Sequence, residues 1–183
     1  WSAGNGSIMR LAPVAMAYAL QPERAIAYAI DSSRTTHATQ LCLDSCGWLA
    51  EILCHLLTGA DKATSLQTCH PATSPEIAAL QQGDWQAKPR SALRGSGYVV
   101  ASLEAALWCF WHTEQYADCV LAAANLGDDA DTTAAVAGQL AGAYYGYQAI
   151  RADWREALYQ EPAIRQLADD LWLLAHQPAT EGK

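Results

Sequence analysis

Apolar residues recur at helical spacing along almost the whole chain, and polar or glycine-rich joints separate the apolar segments. This pattern predicts helices at residues 9–20, 23–33, 37–57, 98–111, 114–125, 131–150 and 163–175. Residues 61–94 hold three prolines among many polar residues, so we predict an excursion there with one or two short helices, one at 75–82. No segment alternates with period two between hairpin turns, so we expect no strands. We therefore predict one all-α domain over residues 1–183, with a frayed tail at 177–183.

Composition narrows the class of protein. The chain has 183 residues, 51% of them hydrophobic, which suffices for one core. Its net charge of -8 disfavours a nucleic-acid partner, and no apolar run is long enough to span a membrane. The six cysteines form no Cys-x-x-Cys pair, so we expect buried, reduced thiols in a cytoplasmic protein. Because Trp1 stands in a loop-like stretch, we also expect the sequence to start inside a longer protein.

The segment with the clearest chemistry is Gly-Asp-Asp-Ala-Asp-Thr-Thr at 127–133, between two predicted helices. Asp129, Asp131 and Thr132 can aim two carboxylates and a hydroxyl at one point, and Mg²⁺ and Mn²⁺ take oxygen ligands of this kind. The alternative is that Asp131 only caps a helix beginning at Thr132. Capping and metal ligation are compatible, because a carboxylate has two oxygens.

Three further polar joints open predicted helices. Residues 4–10, Gly-Asn-Gly-Ser-Ile-Met-Arg, can expose successive N–H groups to a phosphate, or form a plain capped turn. Residues 32–37 end in His37, which can bond a sugar hydroxyl or serve a structural role. Residues 94–98 end in Tyr98, which can stack on a purine or lie in the core. Joints of this kind, gathered at one end of a bundle, would suit a ligand with phosphates, riboses and an adenine.

The content and order of these segments resemble the motifs of the ADP-ribosylglycohydrolases from residue 4 to about residue 146. The segments that carry the resemblance are Gly4-Asn5-Gly6-Ser7-Ile8-Met9-Arg10, Thr36-His37, Gly97-Tyr98-Val99 running into Leu103-Glu104-Ala105-Ala106-Leu107-Trp108, and Asp129-x-Asp131-Thr132. The resemblance implies a compact orthogonal helical bundle that removes ADP-ribose from a modified side chain or small molecule, by water attack at the anomeric carbon of the ribose.

The resemblance also implies a cleft with two Mg²⁺ or Mn²⁺ ions and an ADP-ribosylated target as partner. Asp129, Asp131 and Thr132 fall on the metal-ligand motif of the family. The residues that fall on its substrate-binding segments are Asn5, Gly6, Ser7, His37, Gly95, Ser96, Gly97 and Tyr98.

Two features depart from the family pattern. The family motif usually has a second glycine at the position of Asp128. The other metal ligands and the acidic catalytic residue lie in N-terminal motifs that nothing here matches, so we assign no catalytic residue. We expect the missing N-terminal part to complete the site, and the chain alone to be inactive. The alternatives are a non-catalytic ADP-ribose or nucleotide-binding module of the same fold, and a structural descendant whose acids only cap helices. The linkage cleaved, the choice between Mg²⁺ and Mn²⁺ and the oligomeric state stay open.

Overall fold

The computed structural model describes residues 3–67 and 69–177, and this part of the chain is helical apart from its joints. One isolated antiparallel bridge, Gly4 to Tyr98, is the β-type pairing within these residues. The α-helices are α1 Gly6–Met9, α2 Ala12–Ala17, α3 Pro22–Arg34, α4 Gln40–Leu57, α5 Lys62–Ser65, α6 Pro75–Gln81, α7 Val99–Trp111, α8 Tyr116–Ala124, α9 Ala130–Tyr145, α10 Ala152–Ala157 and α11 Glu161–Ala175. Short 3₁₀ turns lie at Asp84–Ala87, Arg90–Ala92 and Tyr147–Ala149. The predicted all-α class is confirmed, and residues 178–183 of the predicted tail lie outside the described residues.

Helix α4 forms the centre of the core. It is buried almost continuously from Cys42 to Leu56 and packs against α2, α3, α7 and α9. Its sequence is apolar on nearly every face, as expected for a helix with neighbours on all sides. Thr39 starts the helix, because its hydroxyl accepts a hydrogen bond from the backbone N–H of Cys42 at 3.4 Å.

The prediction of one continuous helix at 9–20 is wrong. The structure divides it into α1 and α2 with a break at residues 10–11. Pro13 has no N–H to continue the helical ladder, and the open ends are bound from α9. Gln139 accepts from the N–H of Ala12 at 2.8 Å and donates to the carbonyl of Ile8 at 2.9 Å. A side chain from across the bundle thus satisfies the backbone groups that the break exposes.

Two more predictions need correction near α9. The helix expected to reach residue 150 ends at Tyr145, because Gly146 takes a φ of 81° and turns the chain into a 3₁₀ segment. The helix begins at Ala130 with Asp129 in the capping position, so Asp131 lies in the first turn. The interpretation of Asp131 as the cap is therefore wrong. Helix α10 was not predicted at all.

The cysteines largely follow the prediction. All six are free and five are buried, whereas Cys69 is exposed, which corrects the expectation for that residue. Burial raises the pKa of Cys54 and of Cys109 to about 12, which leaves both as neutral thiols.

Helix α11 is only partly covered by the rest of the described fold. It packs against α2, while Ile164, Leu167, Leu173 and Leu174 expose much of their side chains. Asp169 and Asp170 on the same helix are exposed. Within residues 3–67 and 69–177, none of the helices combines the length and hydropathy that a bilayer span requires.

Candidate functional site

The joints before α1 and α7 lie side by side and hold each other through backbone hydrogen bonds. Asn5 donates its N–H to the carbonyl of Gly97 at 3.1 Å, and Val99 donates to the carbonyl of Ala3 at 2.9 Å. These two bonds form the isolated bridge between Gly4 and Tyr98. Two segments singled out from the sequence, 91 residues apart at Asn5 and Ser96, therefore form one surface.

The joint between α8 and α9 is the third part of this surface. Asp129 donates its N–H to the carbonyl of Gly95 at 2.6 Å. Its carboxylate accepts a hydrogen bond from the Asn5 amide at 2.6 Å on Oδ2 and another from the Thr132 hydroxyl at 3.0 Å on Oδ1. Both oxygens of the predicted metal ligand are thus oriented by neutral donors.

Glycine at position 95 is required by close backbone approach. A Cβ built there would lie 2.8 Å from the carbonyl oxygen of Gly127 and 3.3 Å from the Cβ of Leu126. A backbone atom at that distance cannot move aside without shifting the whole loop. The spacing between the α7 and α8–α9 joints therefore depends on the missing side chain of Gly95.

The backbone before Asp129 is left-handed at two successive residues, with a φ of 78° at Gly127 and 52° at Asp128. Asp is one of the few residues besides glycine that adopts this conformation readily. Position 128, where the resemblance leads one to expect glycine, therefore keeps a glycine-like conformation and adds an exposed carboxylate.

The joint before α4 is the fourth part, and it contacts the first through His37. A Cβ built on Gly6 would lie 2.9 Å from Cε1 of His37, and one on Gly4 would lie 3.2 Å from Nε2. The imidazole therefore lies against the backbone of the 4–6 loop. Its Nδ1 is 2.8 Å from the hydroxyl of Thr36, to which Arg10 donates at 2.7 Å.

Exposure separates the predicted site residues into two groups. Gly97, Tyr98 and Asp131 are exposed, and residues 6, 37, 96 and 129 are partly exposed, so all of these present atoms to solvent. Asn5 and Thr132 are buried, as is Ser7, whose hydroxyl lies beside the Cys46 thiol. Gly95 is buried as well. Asn5, Ser7 and Gly95 therefore contribute through orientation or through the backbone, whereas the Thr132 hydroxyl lies beside the Asp129 carboxylate and keeps an acceptor lone pair.

Tyr98 lies at the surface of the site. Its side chain is 41% exposed, so the alternative that placed it in the core is wrong. Partial burial, with the nearby carboxylate of Glu76, raises the pKa of Tyr98, so the phenol stays neutral at physiological pH. An exposed neutral ring can stack on a flat ligand and still donate a hydrogen bond.

Sequence reasoning missed Ser102 and Thr133. Ser102 lies in the apolar helix α7, is fully buried, and its hydroxyl is 3.2 Å from the Asn5 amide. Thr133 is fully buried below Gly95, with its hydroxyl 3.5 Å from the position of a Cβ there. For Ser102 the available signal was a polar residue within an apolar helical run, which also fits ordinary packing. Thr133 lies in the polar segment 127–133, where the sequence gave it no separate role.

The predicted metal ligands were compared with the side chains that the described residues bring together. Within residues 3–67 and 69–177, no cluster of three or more His, Cys, Asp or Glu side chains could hold a metal ion. Asp129, Asp131 and Thr132 bring two carboxylates and a hydroxyl to the start of α9, and hard oxygen donors of this type fit Mg²⁺ and Mn²⁺. Their assignment as metal ligands stays a prediction, as does the substrate-binding assignment of the other residues.

Comparison with known proteins gives a consistent family relationship. The family model described as ADP-ribosylglycohydrolase matches residues 1–181. An ADP-ribosylarginine hydrolase, Tri1, from Pseudomonas putida is 40% identical over 176 residues, which is 96% of this chain and 47% of that protein. The Tri1 of Serratia proteamaculans is 37% identical over 174 residues, covering 95% of this chain and 48% of that protein.

A more distant relative and a solved structure agree with this result. The ADP-ribosyl-[dinitrogen reductase] glycohydrolase of Rhodospirillum rubrum is 31% identical over 175 residues, 94% of this chain and 57% of that protein. A structure titled as an ADP-ribosylglycohydrolase-related protein complex superposes with a TM-score of 0.84 at 36% identity. The match covers 95% of this chain and 61% of that one. The chain spans about half the length of the curated relatives it matches.

Proposed function

The chain belongs to the ADP-ribosylglycohydrolase family, and from this premise we propose that the protein containing it hydrolyses ADP-ribose from a modified arginine side chain. The proposal depends on one observation: the four joints meet in one place. Asp129 accepts a hydrogen bond from the Asn5 amide and donates its own N–H to the carbonyl of Gly95. Two relatives covering almost all of this chain are named ADP-ribosylarginine hydrolases, which favours arginine among the possible linkages.

The arrangement of the joints fits the parts of ADP-ribose. The 4–6 loop lies against the imidazole of His37, where backbone N–H groups and a ring nitrogen can meet phosphate or sugar oxygens. Tyr98 offers an exposed ring at the adjacent joint, suited to stacking on the adenine. Phosphate, sugar and base are thus matched by chemically different parts of one surface.

We propose that Asp129, Asp131 and Thr132 hold Mg²⁺ or Mn²⁺, with further ligands from outside the described residues. Such an ion, when bound, orients the ribose and stabilises charge that develops near the scissile bond. In the reaction, the oxygen of water bonds to the anomeric carbon and loses a proton, the bond from that carbon to the guanidino nitrogen breaks, and the released nitrogen gains a proton, so that one water is consumed. The residues of this chain position the substrate and the ion.

The experiment is a calorimetric titration of ADP-ribose into the protein, with Mn²⁺ and again with EDTA, followed by hydrolysis of ADP-ribosylated arginine and serine peptides. We expect saturable binding that EDTA weakens and release of ADP-ribose from the arginine peptide. Asp131→Asn should reduce both, while Asp169→Asn, an exposed acid on α11, serves as the matched control and should reduce neither.

The result would distinguish the proposal from the binding-module alternative. Tight binding that is the same in EDTA, without release of ADP-ribose from either peptide, would favour a non-catalytic reader. Release from the serine peptide alone would overturn the assignment to arginine but keep the hydrolase.

A further inference from the structure

We infer that Asn5 is a positioning residue that orients the carboxylate of Asp129 for a divalent cation, rather than a residue whose side chain contacts the substrate. This inference rests on the proposed metal-dependent function. It starts from the shortest side-chain contact of the site, 2.6 Å between the Asn5 amide nitrogen and Oδ2 of Asp129.

The Asn5 side chain is held in one place. It is 7% exposed, and its amide nitrogen is also 3.2 Å from the hydroxyl of Ser102 and 3.4 Å from the carbonyl of Ser96. Three acceptors on three separate joints or helices thus surround one NH₂ group, which has two protons to donate. A buried amide with its donors occupied is poorly placed to contact a ligand directly.

Asn5 stands where its side chain would ordinarily cap a helix. It is the N-cap residue of α1, and asparagine is favoured there because its oxygen accepts a hydrogen bond from the first turn. Here the side chain makes no such bond, and only the backbone carbonyl accepts, from Ile8 and Met9. The side chain is directed instead to a residue 124 positions later in the chain.

The bond to Asp129 has a consequence for cation binding. Asn5 and Thr132 fix the two oxygens of the carboxylate with neutral donors, which orient the group without cancelling its charge. An ionised carboxylate has about four lone-pair sites, so each oxygen keeps capacity for a cation. Residues that orient a metal ligand in this way typically change metal affinity by about 10- to 100-fold when removed.

The variant Asn5→Ser distinguishes the positioning of the Asp129 carboxylate from helix capping. Asn5→Ser keeps a residue that caps as well as asparagine, but its shorter side chain cannot reach Asp129. Asn5→Ala removes the amide and leaves a residue that is disfavoured at a helix N-cap. Asp169→Asn, at the exposed acid on α11, is the control, because it leaves the Asn5 amide and the Asp129 carboxylate unchanged.

The experiment measures Mn²⁺ dissociation constants of the intact protein and its variants by electron paramagnetic resonance of free Mn²⁺. ADP-ribose affinity is measured in EDTA, and thermal midpoints are recorded in EDTA to follow stability. We expect Asn5→Ser and Asn5→Ala each to raise the Mn²⁺ dissociation constant by about tenfold. Asp169→Asn should leave the Mn²⁺ dissociation constant unchanged, and neither Asn5 variant should change ADP-ribose affinity in EDTA.

Three results would overturn the inference in distinguishable ways. If Asp129→Asn abolishes Mn²⁺ binding but both Asn5 variants bind it as the wild type does, Asn5 has no positioning role and the proposed function stands. If the Asn5 variants lose ADP-ribose affinity in EDTA and keep their Mn²⁺ affinity, Asn5 is a substrate contact. If the wild type binds Mn²⁺ no better than Asp129→Asn, the proposed metal site fails and the inference fails with it.

Discussion

Two aspartates, Asp44 within α4 and Asp129 at the joint before α9, show how the same side chain serves different purposes in this fold. Asp44 lies on α4 and ties it to the loop before α6, whereas Asp129 lies between α8 and α9. Both accept hydrogen bonds from residues distant in the sequence. The two carboxylates differ in how many hydrogen bonds their oxygens accept from the protein.

Asp44 is almost completely enclosed. It is 6% exposed and accepts hydrogen bonds from the backbone N–H and hydroxyl groups of Thr73 and Ser74, as well as from the Gln40 amide. Burial acts to raise its pKa, but the hydrogen bonds from Ser74, Gln40 and Thr73 lower it below the ordinary value. With its lone pairs taken by the protein, this carboxylate serves to join two helices.

Asp129 is partly exposed and accepts from two neutral side chains, Asn5 and Thr132. Each of its oxygens accepts one hydrogen bond and keeps a lone pair, and Oδ2 lies 3.7 Å from the position that a Cβ would take on the exposed Gly97. The comparison indicates that a carboxylate whose lone pairs all accept hydrogen bonds from the protein contributes stability. A carboxylate that is oriented by the protein but keeps free lone pairs is available to a ligand. The following changes test that difference.

The largest expected effect is on stability at Asp44. Asp44→Ala should lower the free energy of unfolding by about 3 kcal/mol, because it leaves the buried N–H and hydroxyl of Ser74 and the partly buried N–H of Thr73 without this acceptor. Urea denaturation monitored by circular dichroism measures the change. Asp31→Ala, which removes an exposed ion pair with Arg34, is the control and should cost less than about 1 kcal/mol. Equal losses for the two variants would refute the assigned role of Asp44.

The same carboxylate should make stability depend on pH. Because the pKa of Asp44 is lower in the folded state than the ordinary 3.8, its contribution is complete above that value. The contribution is lost as pH falls through the folded-state pKa. The difference in stability between wild type and Asp44→Ala should therefore be smaller at about pH 3 than at about pH 6, with the change confined to the acidic end of this range. A difference that stays constant over this range in urea titrations would contradict the lowered pKa.

A smaller loss is expected when the spacing of the site is disturbed at Gly95. Gly95→Ala should destabilise by about 2 kcal/mol, because the new Cβ would meet the carbonyl oxygen of Gly127 at 2.8 Å. At Gly97 the nearest atom to a new Cβ is Oδ2 of Asp129 at 3.7 Å, so Gly97→Ala should change stability by less than about 0.5 kcal/mol. Thermal unfolding of both variants tests whether Gly95→Ala has the lower midpoint. Similar midpoints would show that the loops move apart freely.

The smallest effect on stability should come from Asp129 itself. In EDTA, Asp129→Asn should change the free energy of unfolding by less than about 1 kcal/mol, since an asparagine oxygen can still accept from Asn5. Its effect should appear in Mn²⁺ binding instead. A loss of stability as large as that of Asp44→Ala would show that Asp129, like Asp44, serves mainly to stabilise the fold.

Local periodicity was enough to predict several elements closely. The helices expected at 23–33, 75–82 and 98–111 appear as α3, α6 and α7 with ends shifted by one residue. A helical repeat and its stop signals are encoded within a few residues, so they can be recognised without knowledge of neighbours. The chemistry of the polar joints was also visible, because it depends on residue types at short spacing.

What joins those segments could not be predicted from spacing. The break between α1 and α2 depends on Gln139, and the orientation of Asp129 depends on Asn5 and the carbonyl of Gly95. Asp44, buried within an apolar helix, gave no sign of its partners at 73–74.

The sequence by itself therefore determined the helical class, the positions of most helices and the residue types available for chemistry. The tertiary structure decided which polar groups meet, and with that which carboxylate is saturated and which keeps lone pairs for a ligand. The physical reason is range: propensity and periodicity act over a few residues, whereas a hydrogen bond between residues 5 and 129 exists only once the helices between them have packed.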